Sequence, residues 1–215
     1  MVSVIPRQTR PRGEVRRAQI LEAAEAVFLE KGYAGATIDQ VVKRAGASNA
    51  SIYNFFGGKD GLFSAIVEEY SGHLLESFQT IDIDAATVPE ALAQIGRHYM
   101  DVALAPDAVA LSRLVLAEGT RFPELVHTCY QLGLDRIVER IAEIFTTWCS
   151  RGIAIMDDPA LTAVQFLDAV GGRPLQRAMA GLPADGSSDA IEYSIQNAVR
   201  IFSTAIRGQG QIYDK

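Results

Sequence analysis

The amino-acid sequence predicts an all-α protein. Apolar side chains recur at intervals of three and four residues, as at Ile20, Ala24 and Val27, and this spacing places them on one face of a helix. The strict alternation of apolar and polar residues that is typical of half-buried strands is not found along the sequence. Gly46 and Pro123 stand at the borders of such segments, where glycine ends a helix and proline begins one.

Length and composition restrict the class of protein further. The 215 residues, 48% apolar and 21% charged, suffice for one compact domain or two small ones. The longest stretch without a charged residue, 45–58, has 14 residues and includes polar ones, whereas a membrane helix needs roughly 18 apolar residues. The N-terminus lacks the apolar core of a signal peptide. We therefore expect a cytoplasmic protein with reduced cysteines and no membrane partner.

The charge is divided unevenly along the chain. Residues 1–60 contain nine Lys and Arg against six Asp and Glu, a net charge of +3, within a protein whose total is −6. A basic N-terminal part on an acidic body suggests that only this part meets a polyanion. A chance cluster in a flexible tail would give the same charge pattern.

The helical pattern predicts two groups of helices. Residues 1–13, rich in proline and arginine, are expected to form a flexible basic arm. The N-terminal group is predicted at 14–31, 38–45, 50–56 and 59–78, and the C-terminal group at 88–104, 107–119, 123–151, 158–171 and 188–207.

The two short helices around Gly46 have the pattern of a helix-turn-helix. The stretch TIDQVVKRAGASNASIYNFFGGKDGLF resembles the DNA-binding domain of the TetR family of bacterial transcriptional repressors. The matching residues include Thr37, Tyr53, Phe56 and Lys59, and the resemblance covers residues 14–74. It implies that this range is a DNA-binding domain with a three-helix helix-turn-helix.

Residue chemistry identifies candidate DNA contacts within this motif. Thr37 at a helix N-terminus and Lys59 in a glycine-flanked loop suit phosphates, and Tyr53 adds a phenol. Short polar side chains on the second helix allow base edges to approach. Where the family often has Lys or Arg, this sequence has Asn49, so we expect the arginines between residues 7 and 17 to supply more of the phosphate contacts. Thr37, Ser48 or Asn49 would equally be chosen as plain helix caps. The predicted DNA-binding residues are Thr37, Ser48, Asn49, Ala50, Ser51, Tyr53, Asn54 and Lys59.

Residues 111–182 resemble the C-terminal regulatory domain of AefR-like repressors. The resemblance rests on Arg121-Phe122-Pro123, Gly133, Arg151-Gly152 and Asp158-Pro159, among others. It implies that residues 75–215 form a homodimer through the last two long helices and enclose a cavity for a small effector. The apolar face of the last helix also favours a dimer. The candidate ligand-binding residues are Tyr99, Met100, Arg113, Phe145, Trp148 and Phe166, each of which ordinary core packing would also explain.

The resulting hypothesis is a dimeric repressor of a palindromic double-stranded operator, released by a small hydrophobic or amphipathic effector. A helical adaptor without DNA binding is one alternative, and a helical-bundle enzyme is another. Glu124 and His127 have the spacing of a di-iron motif, but His73 and His98 have no glutamate three residues earlier. We therefore expect no metal, cofactor or catalytic site. Cys129 and Cys149 allow a redox switch, although inert thiols are commoner.

Overall fold

The computed structural model describes residues 12–79, 87–182 and 188–206, and the regular elements of these ranges are helices. The all-α prediction is confirmed. The helices are α1 (Arg12–Gly35), α2 (Ile38–Ala45), α3 (Asn49–Phe56), α4 (Lys59–Phe78), α5 (Val88–Ala103), α6 (Pro106–Glu118), α7 (Pro123–Cys129), a π-helical segment (Tyr130–Leu134), α8 (Asp135–Ser150), α9 (Pro159–Met179) and α10 (Ser188–Ala205).

The chain divides into two compact units, and the division along the sequence falls within α4. The first extends to Ile66 and the second begins at Val67, whereas the sequence suggested a division between residues 74 and 75. The predicted basic arm lies mostly outside the described residues, but Arg12 and Gly13, its last two residues, belong to α1. The helical geometry of α1 is interrupted at Gly32, which has φ of 70°, close to where the sequence predicted the helix to end.

Aromatic side chains form the centre of the N-terminal unit. Phe28 stacks on Tyr33 with ring centroids 5.6 Å apart, and Phe63 meets both rings edge-on. Val41 of α2 and Ile52 of α3 are buried in the same unit. The core therefore joins α1 and α4 to both helices of the turn motif. Phe55 of α3 is 41% exposed, whereas its neighbour Phe56 is buried.

A close backbone approach fixes the junction between α3 and α4. A β-carbon at Gly61 would stand 1.6 Å from the carbonyl oxygen of Phe56, far inside van der Waals contact. Gly57, between them, ends α3 with φ of 76° and donates its N–H to the Tyr53 carbonyl. Only glycine at position 61 permits this path of the chain.

The core of the C-terminal unit lies between α5, α8, α9 and α10. Gly96 on α5 allows Ile195 of α10 to approach, because a β-carbon there would stand 3.0 Å from the isoleucine side chain. At the surface Arg97 donates two hydrogen bonds to Glu192, at 3.0 and 2.6 Å. These bonds, and one from Gln196, lower the pKa of Glu192 to about 2. Apolar packing and this ion pair together connect α5 to α10.

Helix α9 is longer than the sequence predicted. The prediction of 158–171 ends at the Gly171-Gly172 pair, but the helix continues to Met179 through Pro174. Proline lacks the N–H that would bond the carbonyl four residues earlier, here that of Val170. Ser194 of α10 donates its hydroxyl to this carbonyl at 3.1 Å. A side chain from a neighbouring helix thus replaces the missing backbone hydrogen bond.

The single helix predicted at 123–151 contains a change of helical geometry. Between α7 and α8 the chain makes a π turn, in which the Asp135 N–H bonds the Tyr130 carbonyl. A π turn shifts the face on which later side chains lie and is often found at functional sites.

Within residues 12–79, 87–182 and 188–206, no helix combines the length and the apolar character that crossing a membrane requires.

Gly61→Ala tests the junction between α3 and α4. We expect it to destabilise the protein by about 1–3 kcal/mol or more, because the added methyl group must displace backbone. Gly72→Ala in the same helix is the matched control, since a β-carbon at Gly72 meets nothing within 4 Å and alanine favours helices by roughly 1 kcal/mol. Urea unfolding of both variants measures the difference, and equal stabilities would show that the junction tolerates a side chain.

Candidate nucleic-acid interface and ligand cavity

Thr37 and Ser48 cap the two helices of the turn motif. The Thr37 hydroxyl accepts from the Gln40 N–H at 3.3 Å, and the Gln40 side chain accepts from the Thr37 N–H at 2.9 Å. Ser48 accepts from the Ser51 N–H at 3.2 Å. Gly46, with φ of 59°, makes the turn between them. Both side chains have the capping role that the sequence suggested, and both are exposed.

Helix α3 presents a polar face opposite its buried side. Asn49, Ala50 and Asn54 are exposed, and Tyr53 is 57% exposed, whereas Ile52 on the other side is fully buried. These are short side chains beside one amphipathic ring, so a base edge can come close to the helix.

Three residues at the start of α3 already have hydrogen-bond partners. The Asn49 amide donates to the carboxylate of Asp39 on α2 at 3.3 Å. The hydroxyls of Ser48 and Ser51 are 2.9 Å apart, and Ser51 is half-buried. Contact of Asn49 with a base therefore requires that its amide leave or share the Asp39 carboxylate.

Lys59 is held at the start of α4 by Tyr33. Its ammonium nitrogen lies 4.4 Å from the centre of the Tyr33 ring, and the Tyr33 hydroxyl donates to the carboxylate of Asp60. A cation over an aromatic face is stabilised electrostatically. The Tyr33 ring therefore stabilises one position of Lys59, the residue that the sequence predicts to contact a phosphate.

Two arginines of α1 bind the turn motif itself. The Arg16 guanidinium donates to the carbonyl oxygens of Ala45, at 3.4 Å, and of Gly46. The Arg17 guanidinium lies 5.1 Å from the centre of the Phe56 ring. We refer to this pair as the arginine clamp, because its members contact the chain just before α3 and at the end of α3.

The arginine clamp changes the expectation for the basic arm. Arg7 and Arg10 lie outside the described residues, and Arg16 and Arg17 make the internal contacts above. Of the other basic side chains near the motif, Arg44 pairs with Glu30 of α1. Part of the positive charge of the N-terminal unit therefore stabilises its own structure.

The C-terminal unit contains a cavity of about 330 Å³. Its wall is formed by α4 from Val67 onward, by α5 and α6, by the π-helical segment with its flanking helices, and by the end of α9. Most of the lining is apolar, and the apolar side chains include Val67, Leu74, Val102, Val109, Leu111, Val115, Leu116, Leu134, Ile137, Leu175 and Met179.

Of the six predicted ligand-binding residues, Tyr99 lines this cavity. Phe145 and Trp148 stack on each other in the core, with ring centroids 5.3 Å apart, and Phe166 packs on Phe202. Met100 is buried in the same core. Aromatic residues at helical spacing are thus mainly core here, because large apolar surfaces are most stable when fully buried.

Arg113, the sixth candidate, points to the end of α9. Its guanidinium donates to the carbonyl oxygens of Met179, at 3.0 Å, and of Ala178. The last carbonyls of a helix lack partners within the helix and attract cations. The side chain caps α9 instead of lining the cavity.

Sequence analysis missed most of the polar groups in the cavity wall, which are Tyr70, Ser71, Ser112, Cys129 and Tyr130. The π turn places Tyr130 and Gly133 in the wall, and no pattern in the sequence predicted that turn. Burial raises the pKa of the Cys129 thiol. Cys129 and Cys149 are both free and half-buried, and no disulfide joins them.

Tyr99 is the most deeply buried of the three tyrosines in the wall. Burial, the carboxylate of Asp168 and Tyr130 raise its pKa to about 12. Gly171 on α9 gives the ring its space, since a β-carbon there would stand 2.9 Å from the ring carbon Cε1.

Comparison with known proteins agrees with this arrangement. Residues 20–66 match the DNA-binding region of the bacterial regulatory proteins of the tetR family, and residues 90–205 match the C-terminal domain of AefR-like transcriptional repressors. The chain belongs to the TetR family. It is a DNA-binding transcriptional regulator.

Several members of the TetR family are similar over most of this chain. A TetR-family regulator from Mesorhizobium loti MAFF303099 has 26% identity and a TM-score of 0.80, covering 92% of this chain and all of its own. The flavonoid-responsive regulator FrrA has 27% identity and a TM-score of 0.78 with the same coverage. The transcriptional regulator SrpR of Pseudomonas putida is 26% identical over 68% of this chain and 67% of its own length.

Asn49→Ala and Lys59→Ala test the proposed division between base and phosphate contacts. We expect Asn49→Ala to cost roughly 1–3 kcal/mol and to relax the preference at one base position, because it removes a base-edge contact. Lys59→Ala is expected to weaken binding to all sequences alike and to lower the salt slope by about one unit. Titrations over a set of duplexes and salt concentrations measure both effects. Thr146→Ala, at an exposed position of α8, is the control, and identical sequence profiles for both variants would contradict the assignment of Asn49.

Arg16→Lys tests the arginine clamp. Lysine keeps the charge but is a point charge, which cannot reproduce the guanidinium fork that reaches two carbonyl oxygens. We expect DNA affinity to fall about 10- to 100-fold, as for loss of a hydrogen bond with a charged donor, while the salt slope stays unchanged. Arg12→Lys, at the exposed start of the same helix, should bind DNA like the parent protein. Full affinity in Arg16→Lys together with a lower salt slope in Arg16→Gln would instead identify a phosphate contact.

Proposed function

We propose that this TetR-family regulator is a dimeric repressor that binds a palindromic operator and is released by a small, mainly apolar effector. The observation that carries the proposal is the cavity of about 330 Å³ in a chain that also has a helix-turn-helix. Small-molecule sites are mostly apolar clefts of roughly 300–1,000 Å³ with a few polar groups. The cavity has this size and this composition.

The similar regulator FrrA supports an aromatic effector. Its description as flavonoid-responsive concerns that protein, which shares 27% of its residues with this chain over 92% of our sequence. A planar aromatic compound suits a wall that combines apolar surface with the rings of Tyr70, Tyr99 and Tyr130.

The surface of α9 and α10 supports the dimer. Tyr193 on α10 is 75% exposed, and Ile201 on α10 and Leu161 and Val164 on α9 are exposed as well. Large apolar side chains on two adjacent helices are typical of a protein interface. A two-fold dimer doubles the DNA contacts on a palindromic site and compensates for the modest charge of one N-terminal unit.

Helix α4 provides a covalent route from effector to operator. Its first residue is Lys59, next to the recognition helix α3, and its later residues Tyr70 and Leu74 line the cavity. An effector that prefers the DNA-free arrangement of α4 weakens DNA binding, and DNA must weaken effector binding by the same factor.

Binding to DNA and effector can be measured with the full-length protein. Selection from a random duplex library should return a sequence with two-fold symmetry, and its affinity should fall steeply with salt. A helical adaptor would select no duplex. Sedimentation at micromolar concentration should give the mass of a dimer.

The effector part of the proposal has its own measurement. Calorimetric titration of the protein with flavone, with and without the selected duplex, should give a lower affinity when DNA is bound. Equal affinities in the two titrations would mean that flavone is no inducer. If no small apolar compound binds or displaces DNA, the C-terminal unit serves dimerisation only.

A further inference from the structure

The polar groups of the cavity wall restrict the charge that a bound effector can carry. We infer that the effector is electrically neutral and carries at least one hydroxyl or carbonyl group that hydrogen-bonds the tyrosine hydroxyls of the wall. This inference deepens the proposed function and rests on it. It separates neutral phenols from fatty acids and other carboxylates of similar apolar size.

The polar groups of the wall are all uncharged. In the described part of the lining they are the hydroxyls of Tyr70, Tyr99, Tyr130, Ser71 and Ser112 and the thiol of Cys129. Tyrosine and serine hydroxyls can each donate and accept a hydrogen bond, and of these the Ser71 hydroxyl already donates to the Glu68 carbonyl at 3.1 Å. They can therefore satisfy a neutral hydroxyl or carbonyl of a ligand, but they cannot neutralise a full charge.

Two groups of the wall, the Cys129 thiol and the Tyr99 hydroxyl, have raised pKa values, so their surroundings disfavour negative charge. Burial raises the pKa of Cys129, and burial together with Asp168 raises that of Tyr99. Burial and a nearby carboxylate disfavour any negative charge, not only a thiolate or a phenolate. They therefore also disfavour a carboxylate ligand at these positions. A buried ion without a partner loses its hydration without compensation.

The basic residue that follows the lining residue Ser112 in the sequence has other partners. Arg113 follows Ser112, which lines the cavity, but its guanidinium donates to the carbonyl oxygens of Ala178 and Met179 at the end of α9. Turning it toward a ligand would leave these carbonyls without those bonds. An anionic effector would thus have to break the cap of α9.

Burial also disfavours a cationic effector, because the loss of hydration penalises a charge of either sign. Asp168 acts on Tyr99 electrostatically but is exposed to solvent, so its charge is screened by water. The faces of the tyrosine rings attract cations, and a cationic probe therefore belongs in the test.

The experiment uses four probes on one scaffold: flavone, 4′-hydroxyflavone, 4′-carboxyflavone and 4′-aminomethylflavone. Calorimetric titration of the full-length protein near pH 6.5 keeps the phenol neutral and ionises the acid and the amine. We expect 4′-hydroxyflavone to bind about 3- to 10-fold more tightly than flavone, as for one added hydrogen bond. The charged probes should bind at least about 100-fold more weakly than flavone.

The pH dependence gives a second, independent measurement. If only the neutral acid enters the cavity, the affinity of 4′-carboxyflavone should rise about tenfold for each pH unit between roughly 7 and 5. The affinity of flavone should stay constant over this range, which controls for changes in the protein.

Variants of the wall identify the groups involved. Tyr99→Phe and Tyr130→Phe remove only a hydroxyl, and at least one should abolish the advantage of 4′-hydroxyflavone over flavone. Leu116→Lys adds a cation to the wall at a position that is 64% exposed, and it should raise the affinity for 4′-carboxyflavone about twofold to fivefold, as for a solvent-exposed ion pair.

The results distinguish this inference from the proposed function. Tighter binding of either charged probe than of 4′-hydroxyflavone, with release of DNA, would overturn the inference on charge and leave an inducible repressor. Equal affinities of flavone and 4′-hydroxyflavone would overturn the role of the tyrosine hydroxyls. If none of the four probes binds, and neither a fatty acid nor another apolar compound releases DNA, the effector part of the proposed function fails together with the inference.

Discussion

The approach of the Phe56 carbonyl to Gly61 is the constraint on which the DNA-binding unit depends. It sets where the recognition helix α3 ends relative to the start of α4. Lys59 and Asp60 lie between these two residues and are held by the ring and the hydroxyl of Tyr33. Tyr33 in turn stacks on Phe28 in the core. The position of α3 is thus connected to the packing of the whole unit through a few short-range contacts.

Positive charge in this unit has two uses. Arg16 and Arg17 contact the turn before α3 and the ring at its end, so they stabilise the recognition helix from within the protein. A guanidinium suits this role because its planar fork can donate to two carbonyls or lie over a ring. Arg16 and Arg17 are counted in the net charge of residues 1–60, although they contact the protein itself. The positive charge that is available to DNA is therefore smaller than this net charge.

Departures from regular helix geometry build the ligand cavity. The π turn brings Tyr130 and Gly133 into the wall, and Gly171 leaves space for the ring of Tyr99. Helix α9 passes through Pro174 to reach the cavity with Leu175 and Met179, since Ser194 satisfies the Val170 carbonyl that the proline leaves free. The break at Pro174 is compensated by this hydrogen bond from another helix, which a regular helix would not need.

The sequence by itself determined the fold class, the turn motif and most helix borders. The helices α2 and α4 have the predicted bounds, because caps such as Thr37 and stops such as Gly46 act within a few residues of the chain. The polar face of α3 was predictable for the same reason, since a period of 3.6 residues separates it from Ile52.

Only the tertiary structure decided how these helices use their side chains. Phe145 and Trp148 are buried in the core, and Arg113 binds the end of α9. The cavity is instead lined by Tyr70, Tyr99 and Tyr130. The tertiary structure also carried α9 past Gly171 and Pro174, where local rules end a helix. These outcomes depend on contacts between residues far apart in the sequence, such as Ser194 with Val170, and such contacts outweigh local preference when they satisfy a buried polar group.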